Sequence, residues 1–202
     1  MADLKNINHI LIGYDRTKEY VINREVIRYN FPNGLDLWLT TVFNGDLDKI
    51  ASGCGENTFI TIPENTGYAY GALDAINAGL RFALAGYRDI VVLTNFDGFF
   101  FNQERYESLI DDFIASGKPF GAGKHQSHKF PMSDLMLFKK DFLKEFLPLK
   151  AEVYPPRKDI DFLQNEYKGT ELGFDNVEEW VLNGLRSIGD PSDLWWQFQR
   201  DG

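Results

Sequence analysis

The chain of 202 residues has one cysteine, Cys54, and only three histidines. A single cysteine excludes an internal disulfide and a cysteine-rich zinc site, so a reducing compartment is the default expectation. No apolar run approaches the roughly 20 residues that a membrane span requires. Met1-Ala-Asp-Leu-Lys5 is followed by no apolar core of the signal-peptide kind. A soluble, cytoplasmic protein with no integral membrane segment is therefore expected. Basic residues are the minority, 21 Lys and Arg against 30 Asp and Glu, giving a net charge of −9. They form no strip, which argues against nucleic acid as a partner, because a polyanion needs a local basic footprint. Internal repeats and low-complexity segments are also missing.

The remaining composition is that of a packed domain. Hydrophobic residues make up 44% and charged residues 25% of the chain, with seventeen Phe and nine Tyr. A chain of this length can bury a core without covalent staples, and one domain over residues 1–202 is expected. An acidic protein that handles phosphate esters needs cations to offset its charge, so bound metal becomes a question for the motifs.

The patterning alternates strand and helix. Ile7 to Gly13 reads as a buried strand, Thr17 to Asn30 as a helix, and Phe31-Pro-Asn-Gly34 as a turn. Leu35 to Phe43 is rich in β-branched and aromatic residues and predicts a second strand, and Thr58 to Ile62 a third. From about Tyr70 to Ala85, Ala72, Ala75, Ile76, Gly79, Leu80 and Ala83 form one apolar helical stripe. Asp89 to Thr94 is the strongest buried-strand candidate. Gln103 to Ser116 predicts a helix, Leu135 to Phe138 a strand leading into a helix through Phe146, and Val177 to Ile188 a further helix. Pro148 to Lys168 reads as a loop or crossover. The sum is an α/β fold with a mixed, mostly parallel sheet flanked by helices.

Ligands of open α/β sheets sit beyond the carboxyl ends of the strands. Three predicted strand ends carry polar clusters: Tyr14-Asp15-Arg16, Asn44-Gly45-Asp46 and Asn95-Phe96-Asp97. They meet in one crevice if their strands are neighbours. In an extended segment Asn95 and Asp97 point to one side and offer hard oxygen ligands to Mn²⁺ or Mg²⁺, whose shells substrate phosphates often complete. A turn in which both side chains bond their own backbone is the plainer reading. His125 and His128 form an H-x-x-H pair, and His128 is the candidate to complete a metal shell, although a loop histidine is more often neither ligand nor base. Trp195 and Trp196 either pack on the core or flank a ligand; packing is the simpler role.

Over Asn65-Thr-Gly67-Tyr-Ala-Tyr-Gly71-Ala-Leu-Asp74-Ala-Ile-Asn77-Ala-Gly79 and Ile90-Val-Val-Leu-Thr-Asn95-Phe-Asp97, the chain resembles inverting GT-A glycosyltransferases of family 2. The likeness is greatest to their rhamnosyltransferase-like branch. It implies a GT-A fold with a nucleotide-binding half, 1–98, and an acceptor-side half, 99–202. It further implies transfer of a sugar from a nucleotide-diphosphate donor to a saccharide, lipid-linked or protein acceptor. By the same resemblance Tyr14 and Arg16 line the base pocket, Asn65, Asp74 and Asn77 approach the donor, and Asn95 and Asp97 hold the cation that bridges the diphosphate. A solvated helix face is the alternative for Asp74.

The resemblance continues, more thinly, into Ser133-Asp134 and the segment Val177-Glu178-Glu179-Trp180. There Glu178, or Glu179 after it, would be the catalytic base; a first helical turn favoured by the macrodipole is the alternative for both. One position departs from the family pattern. The acid expected to read the base at the end of the second strand is Phe43, which leaves Asn44 or Asp46 to take over. Homodimer formation is compatible with the sequence.

Three other readings compete. A haloacid-dehalogenase-type phosphatase carries Asp-x-Asp-Gly after an apolar strand, but its nucleophile would be Asn95, and an amide forms no aspartyl-phosphate. A sugar-nucleotide pyrophosphorylase needs a Gly-rich basic loop, where this chain has Ile12-Gly-Tyr-Asp15. A glycosyltransferase-like protein that binds without turnover is the non-enzymatic reading.

Overall fold

A computed structural model describes residues 2–13, 17–33, 36–44, 58–62, 68–124, 130–150 and 174–198. Its elements are β1 (Ile7–Gly13), α1 (Thr17–Asn30), β2 (Trp38–Asn44), β3 (Thr58–Ile62), α2 (Tyr68–Ala85), β4 (Ile90–Asn95), α3 (Gln103–Ala115), β5 (Phe120–Lys124), β6 (Pro131–Lys139), α4 (Leu143–Phe146), α5 (Phe174–Ile188), α6 (Pro191–Leu194) and β7 (Trp195–Phe198). The sheet has seven strands in the order β3-β2-β1-β4-β6-β5-β7. β3, β2, β1 and β4 pair in parallel, β6 is antiparallel to both β4 and β5, and β5 pairs in parallel with β7. Only β6 is reversed.

Alternation along the strands divides the core between the two faces. Ile10, Ile12, Val42, Val91, Leu93, Met136 and Phe138 pack with α2, α4 and α5. Ile7, Leu39, Ile90, Val92, Leu135 and Leu137 pack on the other face with Ile27 of α1 and with Tyr106, Ile110 and Phe113 of α3. The predicted stripe of α2 is the buried one: Ala75, Ile76, Gly79, Leu80 and Ala83 all face the sheet. Burying each aliphatic or aromatic side chain contributes on the order of 1.5–3 kcal/mol, which is what holds helices of ordinary propensity in place.

Two strands escape a reading by hydrophobic pattern. β5 is Phe-Gly-Ala-Gly-Lys, whose glycines suggest a loop. Gly121 is needed there, because a Cβ would lie 3.0 Å from the Phe113 ring and 3.1 Å from Trp196. β7 follows a single helical turn and depends wholly on β5 for its pairing. It settles the two tryptophans: Trp195 is buried, with its indole N–H donating to the Ala122 carbonyl at 3.1 Å, and Trp196 lies against Phe113. Both pack on the core. The second strand begins at Trp38 rather than Leu35, and the sixth spans Pro131–Lys139 rather than four residues.

Candidate functional site

All four parallel strands β1 to β4 end at one edge of the sheet, and the reversed β6 begins there. Gly13 pairs with Phe43, Ile12 with Asn95, and Asn44 with Ile62, so the ends of these strands lie side by side in the backbone. Tyr14, Arg16, Asp46, Asn65, His125 and His128 lie outside the described residues, as does the side chain of Asn44.

The Asn95-Phe96-Asp97-Gly98 segment is not extended. The Gly98 amide donates to the Asn95 carbonyl at 3.0 Å, closing a tight turn, while the Phe96 amide donates to the Ile12 carbonyl at 2.9 Å and ties that turn to β1. Asn95 is half-buried and Asp97 exposed, whereas Phe96 between them is 1% exposed. Asn95 belongs to the odd-numbered set of β4 that faces α2 and α5. The amide and the carboxylate are thus presented at the edge by a turn whose middle side chain is anchored in the core.

That anchor is an aromatic box on the α1 face. Phe96 stacks on Phe43 at 6.2 Å with rings 7° apart, and Tyr20 lies 5.0 Å away on α1. Phe43 is fully buried and packs also on Phe59. The residue standing where an acidic base-reader was expected therefore braces the turn from inside. Gly13 completes the box: a Cβ there would fall 2.2 Å from Cδ2 of Phe96. Gly13→Ala is expected to destabilise the fold by about 1–3 kcal/mol through overpacking. A chemical-denaturation curve indistinguishable from wild type would contradict that account of the box.

Asn23 of α1 is a residue that hydrophobic patterning passes over. Its side chain is fully buried, and its Nδ2 donates to the Phe96 carbonyl at 3.1 Å and to the Gly98 carbonyl at 2.6 Å. The signal in the sequence is an amide on the buried stripe Tyr20, Asn23, Ile27, where a polar group must find partners.

On the far side of β4, the β6 register continued one step beyond Thr94–Leu135 sets Asp134 opposite Asn95. Asp134 is on the even-numbered set of β6, which faces α5. Glu178 of α5 is 6% exposed, and its Oε1 accepts from the Ser133 amide at 3.3 Å. Glu179 is half-buried. Asn95 and Asp134 thereby lie opposite each other in the backbone, with Glu178 tied to the neighbouring Ser133. Among the described residues no three His, Cys, Asp or Glu side chains cluster as a closed metal cage. A hard cation here would take an amide and a carboxylate from the chain, with phosphate and water supplying the rest, which fits Mg²⁺-type coordination.

Asn77 does not fit a donor contact. Its Nδ2 donates to the Leu149 carbonyl at 2.8 Å and its Oδ1 accepts from the Leu149 amide at 2.9 Å. Both halves of the carboxamide are used in bracing α2 against the segment after α4. Asp74 is half-buried one turn after Tyr70, whose ring lies 5.4 Å from that of Trp180 on α5.

The architecture is the GT-A fold of nucleotide-diphospho-sugar transferases. The structure resembles a mannosyltransferase from Pyrobaculum calidifontis, solved with GDP-mannose and Mn²⁺, with a TM-score of 0.52 and 14% identity, covering 73% of this chain and 48% of that one. It also resembles a protein from Desulfovibrio desulfuricans named as a nucleotide-diphospho-sugar transferase, with a TM-score of 0.52 and 14% identity over 96% of this chain and 80% of that one. The chain spans about half the length of the mannosyltransferase. No family model and no curated protein matches the sequence.

Proposed function

We propose that this chain is a metal-dependent glycosyltransferase that moves a sugar from a nucleotide-diphosphate donor to an acceptor hydroxyl with inversion. The observation that carries the reading is the turn at the end of β4, which exposes Asp97, half-exposes Asn95 and buries Phe96 between them. The GT-A fold supports it, and the mannosyltransferase of similar fold was solved with Mn²⁺ and a nucleotide sugar.

In this scheme Asn95 and Asp97 would hold Mn²⁺ or Mg²⁺, with His128 as a further ligand. The bound cation supplies neutralisation of the charge that develops on the leaving diphosphate. Tyr14, Arg16, Asn44, Asp46 and Asn65 border the nucleotide, and Asp74 lies toward the sugar. Glu178 or Glu179 takes the acceptor's hydroxyl proton as that oxygen attacks the anomeric carbon on the face opposite the departing diphosphate. The Ser133 amide holds Glu178 at the edge of the sheet, while Glu179 has more room to meet an acceptor. The acceptor is a saccharide, a lipid-linked sugar or a protein hydroxyl.

The test is a thermal-shift screen of UDP, GDP, ADP, CDP and dTDP, each with Mn²⁺, Mg²⁺ or EDTA. One diphosphate is expected to raise the melting temperature only with cation, by the equivalent of about 2.7 kcal/mol at a hundredfold excess over Kd. No cation-dependent rise with any of the five would remove the reading. Phe43, buried where an acid was expected, favours a second reading, a binder without turnover. Donor hydrolysis in Mn²⁺ separates the two, since a binder releases no sugar.

A further inference from the structure

We infer that Asn23 is a positioning residue for the cation site, acting through the backbone of the turn that carries Asp97. The inference rests on the reading of Asn95 and Asp97 as the cation's ligands. Asn23 reaches the turn from α1, more than seventy residues away in sequence. One nitrogen donates to two carbonyls, those of Phe96 and Gly98, which flank Asp97. Both acceptors are carbonyl oxygens, so the amide orientation is not in doubt: only Nδ2 can face them. Its Oδ1 is buried and has no hydrogen-bond partner among the described residues. A buried acceptor without a partner is costly, and packing alone would be served by an apolar side chain of similar size. Asparagine at this site therefore makes sense for what its nitrogen does.

That nitrogen pins the peptide unit before Asp97, through the Phe96 carbonyl, and the unit that follows Gly98, through the Gly98 carbonyl, while the Asp97–Gly98 unit between them is held by the Gly98 amide on the Asn95 carbonyl. Phe96 is held in its aromatic box and the turn is closed by the Gly98 amide, so the remaining freedom is rotation of the peptide units on either side of Asp97–Gly98. Asn23 removes it. A carboxylate that must meet a small cation within a few tenths of an ångström depends on such outer supports.

The experiment titrates Mn²⁺ by electron paramagnetic resonance in the presence of UDP, GDP, ADP, CDP or dTDP, for wild type, Asn23→Asp, Asn23→Ser and Asp97→Ala. Melting temperatures in EDTA are measured alongside. Asn23→Asp keeps the shape but replaces the donor with an oxygen that repels both carbonyls. Its Mn²⁺ affinity is expected to fall by about ten- to a hundredfold. Asn23→Ser, which keeps one hydroxyl donor, should fall less, and it carries the test should the aspartate variant not fold. Affinities for both folded variants within about twofold of wild type would overturn the role of Asn23 while leaving the proposed function standing. An affinity loss matched by a proportionate fall of the variant's melting temperature in EDTA would also overturn it. Wild type that binds no Mn²⁺ with any of the five nucleotides would overturn the proposed function, and this inference with it.

Discussion

Replacing Asp97 by alanine is expected to lower sugar transfer by about 10³-fold while leaving the fold intact, a loss on the order of that caused by deleting one preorganised group facing transition-state charge. The two halves of this expectation have separate causes. Asp97 is exposed on a turn that Phe96 in the aromatic box, the Gly98 amide on the Asn95 carbonyl, and the two bonds from Asn23 hold in place. Exposed substitutions of this kind shift stability by about 0.5 kcal/mol. The chemistry, in contrast, loses the only full negative charge on the turn. Under the proposed function nothing in the turn but the Asn95 amide would then remain to hold a cation, and a neutral amide is a weaker ligand. Turnover measured against melting temperature decides the matter: a variant that keeps a tenth of its rate does not use Asp97 as proposed. The same assay ranks the two glutamates. Glu178→Gln retains an oxygen for the Ser133 amide, so a large rate loss there points to proton transfer rather than packing.

The second large effect is on stability in acid. His9 of β1 is fully buried, with Nδ1 3.1 Å from the Tyr106 hydroxyl and Nε2 3.0 Å from the Thr94 hydroxyl. Phe100 and Tyr106 pack on its ring at 5.7 and 5.6 Å. Burial lowers its pKa from 6.5 to about 3. The native imidazole therefore stays neutral where the unfolded chain takes up a proton. With the folded pKa depressed, the stability is fully present above pH 6.5 and is lost as the pH falls from there toward 3. The loss grows by about 1.4 kcal/mol per pH unit, or roughly 2 kcal/mol at pH 5. Urea unfolding of wild type and His9→Gln at pH 7.5 and pH 5 tests it. The glutamine keeps a donor and an acceptor but does not titrate, so its stability should fall less between the two pH values. Equal falls would show that His9 is not the group responsible. Because Thr94 precedes Asn95, this network also steadies the strand end from which the candidate site projects.

How much of this was readable in advance depended on the kind of interaction. β1, α1 and β3 were legible to the residue, and α2, α3, β4 and α5 to within a few residues, since each is held by apolar side chains at the spacing of its own backbone. The clustering of strand ends was legible too, because alternating strands and helices leave few parallel arrangements. The parts that were not legible involve partners distant in the chain. Asn77 looked like a donor contact until its amide met Leu149, and Phe43 looked like a missing acid until it stacked on Phe96. β5 and β7 carry too little pattern of their own and exist through each other and β6.

Composition and local periodicity alone determined an acidic α/β domain with an amide and a carboxylate just beyond a buried strand. Those properties belong to short stretches of chain. Only the folded protein decided that this pair rides on a closed turn, with Phe96 boxed beneath it and Asn23 holding its carbonyls. The reason is physical: hydrogen bonds and ring contacts between residues far apart in the chain leave no periodic trace in the sequence, yet they set the direction in which a side chain points.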